Sequence, residues 1–172
     1  MGARRRSIET AVSALSAQPG ISLVGVSRLY RTPPAGGVAR GYFLNAAVAV
    51  EHLGEPSELL LVCKELETKL GRRRGRRWGD RPLDLDILWW EGGSFENPHL
   101  SIPHPRLKDR SFALEPLLDL FPNLRDETGQ PYALHAARLP TPAAVGVLAA
   151  PSCRVMSEGD GTRVRPEILE FE

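Results

Sequence analysis

The sequence contains few of the features that mark secreted or membrane proteins. Its 172 residues include only two cysteines, Cys63 and Cys153, which are too few for a disulfide framework. Cys63 falls on an apolar helical face, as is typical of a core residue in a reducing compartment. The basic start at residues 1–12 is not followed by the apolar segment of a secretory signal. No apolar run approaches the roughly 18 residues of a membrane span, so we expect a cytoplasmic location.

The sequence also lacks a strong excess of charge of either sign, and it has no internal repeats. With 22 basic and 21 acidic residues, the formal net charge is +1, which argues against nucleic-acid binding over the whole surface. Apolar residues make up 42% and charged residues 25%, as in ordinary globular proteins. A chain of this length is expected to form one domain with a single hydrophobic core.

The charge that is present is concentrated in residues 72–90. Six arginines occupy the first ten positions of this stretch, and Asp84 and Asp86 then alternate with aliphatic residues, as in a strand with one buried face. Both carboxylates would project from one face, about 6–7 Å apart. Magnesium with a substrate phosphate would relieve their repulsion, because it uses one or two carboxylates and leaves positions for phosphate. Arginine binds phosphate bidentately, so the stretch predicts a polyphosphate site.

Each half of this stretch has a simpler interpretation. A run of arginines is most often a solvated loop or a nucleic-acid patch, and Asp-x-Asp on a strand is most often a polar face. The short connection at residues 78–82 favours the polyphosphate interpretation, because it brings the cations to the carboxylates over one loop.

Apolar spacing and turn residues predict the other elements. We expect a helix at residues 4–17, strands at 21–31 and 42–50, a helix from residue 54 to about 71, the Asp-x-Asp strand, and a short helix at 109–121 interrupted by Pro116. This order lacks one initial strand for a βαββαβ unit. Asn45 is the polar residue inside the second strand, where it either bonds the adjoining loop or faces a ligand. Residues 139–172 are expected to be an irregular or partly disordered tail that follows a domain at 1–138.

Four ordered segments resemble one enzyme family. They are YRTPP at 30–34, FLNAAVAVE at 43–51, GRRRGRRWGDRPLDLDI at 71–87 and IPHPRLKDRSFALEPLLDLFP at 102–122. Over roughly residues 2–135 the chain is similar to the 6-hydroxymethyl-7,8-dihydropterin pyrophosphokinases of folate biosynthesis. RPLDLDI followed by PHPRLKDRSF is the most specific part of the match. The resemblance implies an α+β, ferredoxin-like βαββαβ fold, with helices on one face of an antiparallel sheet.

The resemblance also implies an activity and a set of site residues. The β,γ-diphosphate of ATP would pass to the hydroxymethyl group of the pterin with release of AMP, and two magnesium ions would lie on Asp84 and Asp86. The implied catalytic residues are Arg72, Arg81, Asp84 and Asp86. The implied nucleotide site comprises Arg72, Arg74, Arg77, Trp78, Arg81, Ile87, His104 and Arg110. The implied pterin site comprises Thr32, Pro33, Phe43, Asn45, Trp78, Asp84 and Phe112.

Three further residues matter to the resemblance. Glu67 is expected to support the site from behind, and Lys64 stands where glutamine is common in the family. His99 falls where the family often has a basic nucleotide contact, but it is expected to be structural or peripheral. The expected partners are ATP and the pterin, with no nucleic acid and no membrane, and the expected state is a monomer.

The chain departs from the family pattern at its start. The family begins with a strand and a glycine-rich turn, and Met1–Arg5 resembles only the end of that turn. In a βαββαβ sheet this strand is interior, so its absence would leave backbone groups unpaired in the middle of the core. Three explanations are open: a start assigned too late, which we favour, a truncation, or a substitute strand such as residues 143–150.

Two other functions also stay open on the sequence alone. A ferredoxin-like nucleic-acid-binding module would use the arginine loop. Against it, the strands lack exposed paired aromatic residues, and Asp84 and Asp86 would repel phosphate if no metal intervened. A catalytically weakened relative with a structural role is the second alternative, and the missing strand is consistent with it.

Overall fold

The computed structural model describes residues 2–33, 41–71 and 83–148, and the backbone of residues 166–171. Helix α1 (Gly2–Ser16) is followed by strands β1 (Ile21–Val26), β2 (Arg28–Thr32) and β3 (Phe43–His52). Helix α2 (Pro56–Lys69) precedes strand β4 (Leu85–Trp90). The later elements are strands β5 (Phe95–Asn97) and β6 (Leu100–Ile102), a 3-10 helix (Leu107–Asp109), helices α3 (Ser111–Leu120) and α4 (Tyr132–Ala136), and strands β7 (Ala143–Val147) and β8 (Pro166–Phe171).

Six strands form one antiparallel sheet in the order β4-β8-β3-β2-β7, with β1 also paired to β3. The first half of β3 pairs with β2 and the second half with β1, so β1 and β2 are two parts of one bent strand. At the bend, the Ser27 hydroxyl accepts a hydrogen bond of 2.8 Å from the Ala47 N–H. The sequence predicted one uninterrupted strand here. The side chain of Ser27 supplies an acceptor that the interrupted backbone ladder lacks.

Helices cover both faces of the sheet. The apolar stripes of α1 and α2 form one cluster with the alternate residues of β3 and β4, among them Ile8, Val12, Leu59, Val48 and Ile87. Helices α3 and α4 pack on the opposite face against residues such as Ala47 and Leu88. The two helices of the βαββαβ unit therefore share one face, as predicted. The α+β class and the ferredoxin-like antiparallel sheet are confirmed.

Helix α3 differs from its prediction at Pro116. The helix runs without interruption from Ser111 to Leu120 and contains this proline in its interior. Proline removes one intrahelical donor, but its fixed φ angle is compatible with a helix. Pro116 is buried with the apolar face of the helix, so tertiary packing outweighs the lost hydrogen bond.

Residues after 139 also differ from their prediction, because two regular strands lie within the stretch expected to be irregular. Strand β7 pairs with β2 at the edge of the sheet. Strand β8 lies between β3 and β4, antiparallel to both. A substitute interior strand is therefore present, but residues 166–171 provide it and residues 143–150 do not. A short strand does not reveal in its sequence which distant strand it will pair with. The domain boundary at residue 138 stays a prediction.

A buried carboxylate connects the 3-10 helix to the loop before α4. Asp126 accepts hydrogen bonds from the Thr128 hydroxyl (2.6 Å) and from the backbone N–H groups of Thr128 (2.9 Å) and Gln130 (3.0 Å). Lys108 Nζ and His135 Nε2 each lie 3.0 Å from its other oxygen. The bonds from Thr128, Lys108 and His135 hold the pKa of the Asp126 carboxyl far below its usual range.

We expect Asp126→Asn to lower the midpoint of thermal unfolding at pH 7. Because folding lowers the pKa of this carboxyl, its contribution is fully present above about pH 4 and is lost as the pH falls further. The variant should therefore be less stable at neutral pH and lose less stability on acidification than the wild type. Glu127→Gln is the control, because it removes a carboxylate that also contacts Lys108 but is exposed. Equal effects of the two substitutions on the thermal midpoint would contradict this interpretation.

Candidate functional site

The predicted metal and pterin residues lie on one face of the sheet. On β3, Leu44 and Ala46 pack in the cluster formed with α1 and α2. Leu83, two residues before β4, and Leu85, the first residue of β4, pack in the same cluster. Successive side chains of a strand point to opposite faces. Asn45 and Asp84 therefore project toward the α3 side of the sheet, as does Asp86 farther along β4.

The strand register places the two groups at the same level. Ala46 and Leu85 both lie opposite Phe171 of β8. Since β3 and β4 are each antiparallel to β8, they run parallel to each other, and Asn45 and Asp84 precede this level by one residue. Two strand spacings separate them, about 10 Å. This separation suits two small molecules bound side by side on one face.

The residues predicted to bind the pterin include a buried amide. Asn45 is fully buried, and its Nδ2 donates a hydrogen bond of 3.0 Å to the Thr32 hydroxyl. Its Oδ1 accepts no hydrogen bond from the described part of the chain. A buried acceptor without a donor is costly, so this oxygen is suited to an N–H group of a ligand. The sequence analysis expected Asn45 either to bond the adjoining loop or to face a ligand. The observed partner, Thr32, is the last residue of β2, and Oδ1 stays available to a ligand.

The two aromatic residues predicted for the pterin site come from different elements. Phe43 starts β3 and lies opposite Thr32 in the ladder, so it shares a face with Asn45 two residues later. Phe112 lies in the first turn of α3, partly buried against the second core cluster. The Arg110 guanidinium lies 5.7 Å from the centre of the Phe112 ring. Pro33, which follows Thr32, is exposed.

A pocket of about 370 Å³ lies beside two of the residues predicted to bind the nucleotide, Ile87 and His104. Of the predicted residues, Asp86, Ile87 and His104 line it together. The other lining residues come from α2 and from the β5–β6 hairpin and its continuation: Leu60, Lys64, Asn97, Pro98, His99, Leu100, Ser101 and Pro105. The pocket thus combines a carboxylate, an ammonium group and two imidazoles with several apolar side chains, a composition that suits a phosphorylated heterocycle.

His104 is held in a defined orientation at this pocket. Its backbone N–H donates to the Leu88 carbonyl at 2.8 Å, and its Nδ1 accepts a hydrogen bond of 3.1 Å from the Arg106 N–H. Burial, and to a lesser extent the charge of Arg110, lower the pKa of the His104 imidazole, although Asp86 partly opposes this. The ring is therefore neutral at pH 7. Since Nδ1 accepts, the proton of the neutral ring lies on Nε2.

Glu67 anchors the strand that carries the aspartates. This buried carboxylate accepts hydrogen bonds from the Leu85 N–H at 2.8 Å and from Lys64 Nζ at 2.9 Å. Leu85 lies between Asp84 and Asp86, so the contact fixes the backbone at the centre of the candidate metal site. The position of Glu67 behind the site agrees with the expectation from the resemblance.

Several pocket residues were missed or discounted in the sequence analysis. Leu60 and Lys64 share one face of α2 with Glu67, at i, i+4 and i+7, and this helical spacing could have indicated them. His99 was expected to be peripheral, yet it lines the pocket. Residues 97–101 belong to the β5–β6 hairpin. They were missed because no local pattern indicates that this hairpin packs beside α2 and Asp86 at the pocket.

Residues 72–82, which contain the run of arginines, lie outside the described residues. The predictions for Arg72, Arg74, Arg77, Trp78 and Arg81 fall there. Within residues 2–33, 41–71 and 83–148, no cluster of three or more histidine, cysteine or acidic residues could hold a metal ion. Magnesium fits the two carboxylates nonetheless, because it commonly takes one or two carboxylates and completes its shell with water and phosphate.

In the part of the chain that the structure describes, no helix is long and apolar enough to cross a membrane.

Comparisons with known proteins give a consistent result. Residues 1–122 match the family described as 7,8-dihydro-6-hydroxymethylpterin-pyrophosphokinase (HPPK). A 2-amino-4-hydroxy-6-hydroxymethyldihydropteridine pyrophosphokinase of Methylorubrum extorquens is 43% identical over 72% of this chain and 78% of its own length. The enzymes of the same name from Bacillus subtilis and Pseudomonas aeruginosa are 36% and 38% identical, over 74% and 73% of this chain and 76% and 78% of their own lengths.

These matches confirm the family and the enzyme class predicted from the sequence. They support a pyrophosphokinase of folate biosynthesis and do not favour the nucleic-acid-binding alternative. The chain belongs to the 7,8-dihydro-6-hydroxymethylpterin-pyrophosphokinase family.

Proposed function

We propose that this ATP-dependent diphosphotransferase carries out its reaction on the face of the sheet that bears Asn45, Asp84 and Asp86. Its substrates would be ATP and 6-hydroxymethyl-7,8-dihydropterin, and its products AMP and the diphosphorylated pterin. The observation that carries the proposal is the common level of Asn45 and Asp84, next to a pocket that contains Asp86 and His104.

The reaction is an in-line displacement at the β-phosphorus of ATP. The pterin hydroxymethyl oxygen forms a bond to this phosphorus, the bond to the oxygen bridging the α- and β-phosphates breaks, and the hydroxyl proton is released. Such transfers need little covalent chemistry from the protein, so positioning and charge neutralisation supply most of the catalysis. Asp84 and Asp86 would hold two magnesium ions. When bound, these ions would polarise phosphoryl oxygens and favour loss of the hydroxyl proton.

Different residues of the described part of the chain would bind the two substrates. Neutral His104 can donate from Nε2 to a phosphate oxygen, and Arg110 supplies a permanent positive charge close by. Ile87 and the other apolar pocket residues would contact the base. Asn45 Oδ1 would accept from the pterin ring, which Phe43 and Phe112 would enclose in an aromatic sandwich. Thr32 orients Asn45, and Pro33 would border the same ring.

Several predictions from the sequence complete the proposal. Arg72, Arg74, Arg77, Trp78 and Arg81 would close over the nucleotide, with Trp78 also touching the pterin and with Arg72 and Arg81 acting on the phosphates. Closure excludes water that would otherwise hydrolyse ATP. A monomeric state, a cytoplasmic location and the absence of nucleic-acid binding also stay predictions.

The proposal predicts magnesium-dependent release of AMP from ATP only when the pterin is present. Asp84→Asn and Asp86→Asn should each lower kcat at least about 100-fold, because loss of a preorganised group that stabilises developing charge has effects of this size. Glu91→Gln, an exposed acidic residue at the end of β4, is the control and should retain wild-type activity. Folded aspartate variants with full activity would overturn the assignment.

Asn45→Ala should weaken pterin binding selectively. Loss of a hydrogen bond to a buried amide costs about 1–3 kcal/mol, so KM for the pterin should rise about 5- to 150-fold while KM for ATP changes little. Asn123→Ala, at an exposed position, serves as the matched control. A rise in KM for ATP with no change in KM for the pterin would contradict the assignment of the two sides.

NMR titration of His104 tests the charge arrangement in the pocket. The midpoint should lie below the ordinary value of about 6.5, because burial and Arg110 disfavour the protonated ring. Arg110→Gln should raise the midpoint, whereas Asp86→Asn should lower it further. If both substitutions shifted the His104 midpoint in the same direction, Arg110 and Asp86 would not have opposite effects on the pKa of this imidazole, contrary to the prediction.

A further inference from the structure

Strand β8 occupies the interior of the sheet, although it comes from residues 166–171. It pairs with β3 from Ala46↔Phe171 to Glu51↔Pro166, and with β4 from Leu85↔Phe171 to Trp90↔Glu167. The same strand thus forms backbone ladders on both sides. This interior position is the one that a βαββαβ sheet assigns to its first strand.

The backbones of β3 and β4 require a strand at this position. Two spacings of about 4.8 Å separate them, which is far beyond the reach of a direct hydrogen bond. The residues of β3 that face β8, Ala46 to Val50, are buried. Buried N–H and C=O groups without partners destabilise a protein strongly. Strand β8 supplies those partners for both flanking strands.

The end of β8 lies at the candidate site. Glu170 is the register partner of Ala47 on one side and of Asp86 on the other, and Phe171 lies opposite Ala46 and Leu85. The last two pairs of the ladder are therefore next to Asn45 on β3 and to Asp84, the residue just before β4. The separation between the pterin side and the metal side is set by the strand between them.

We propose that residues 166–171 form a positioning strand for the transfer reaction, one that fixes the distance between Asn45 and the Asp84–Asp86 pair. The paired arrangement of β8 is the active one. This inference rests on the proposed function in one respect, the assignment of Asn45 to the pterin and of Asp84 and Asp86 to the metal. The placement of the strand can be tested without any substrate.

The first test is an in-register disulfide in the full chain with Cys153→Ser. Ala49 and Ile168 are register partners, with Cα atoms about 4.5–5.5 Å apart, within the range that a disulfide spans. Ala49→Cys with Ile168→Cys should cross-link on mild oxidation, as measured by the mass of the linked peptides. Ala49→Cys with Glu170→Cys is the control, because its Cα atoms are about 8 Å apart. Failure of the first pair, or equal cross-linking of both pairs, would overturn the placement of β8.

The second readout is the activity of the locked protein. If the paired arrangement is the active one, oxidised Ala49→Cys/Ile168→Cys should release AMP with a kcat within about twofold of the reduced protein. A fall of tenfold or more that is reversed by reduction would overturn the proposal. If no form of the protein releases AMP, the proposed function fails, and the cross-linking result still decides where β8 lies.

A pair of glycine substitutions separates positioning from general stability. Glu170 lies opposite Asp86, whereas Glu167 lies opposite Val50 and Trp90 at the far end of the same strand. Glycine weakens a strand at either position. Both variants should lower the thermal midpoint, but Glu170→Gly should lower kcat severalfold more than Glu167→Gly does and should leave KM for both substrates nearly unchanged. Equal kcat values in the two variants would contradict the positioning role.

Discussion

The burial of alternate residues on β3 and β4 is the constraint on which the rest of the structure depends. Leu44, Ala46 and Val48 on one strand, and Leu83, Leu85 and Ile87 on the other, pack against α1 and α2. A shift of one residue in either strand would move its whole apolar set to the opposite face. The hydrophobic core therefore also fixes which way the polar residues of the site project. The site is a consequence of the core.

Two contacts convert this orientation into a defined geometry. Glu67 bonds the backbone between the two aspartates to α2, and Asn45 is held by Thr32 on the neighbouring strand. Both contacts involve buried polar groups, for which broken hydrogen bonds are costly. The functional side chains thus gain rigidity from the structure behind them. Such rigidity is what an in-line transfer requires, because small displacements of the reacting groups slow it strongly.

Local sequence patterns predicted the elements but not their long-range pairing. The stripe of Ile8, Ala11, Val12 and Leu15 predicted α1, and the aspartates that alternate with leucines predicted β4 and the face to which they project. The first strand is divided at Ser27, where the side-chain hydroxyl replaces a backbone acceptor. The alternation of apolar and polar residues does not indicate such a replacement. The place of β8 and the contribution of residues 97–101 to the pocket depend on partners distant in sequence. The family could be identified from the sequence because the resemblance rests on several ordered motifs, whereas the periodicity of apolar residues indicates only individual helices and strands.

A crystal structure with manganese, a non-hydrolysable ATP analogue and the pterin would show directly where the metal and both substrates bind. We expect anomalous metal density within about 2.0–2.3 Å of carboxylate oxygens of both Asp84 and Asp86. We also expect a pterin N–H at Asn45 Oδ1 on the same face of the sheet, and a phosphate oxygen near His104 Nε2. Metal bound away from both aspartates, or a pterin on the face covered by α1 and α2, would contradict the proposed site.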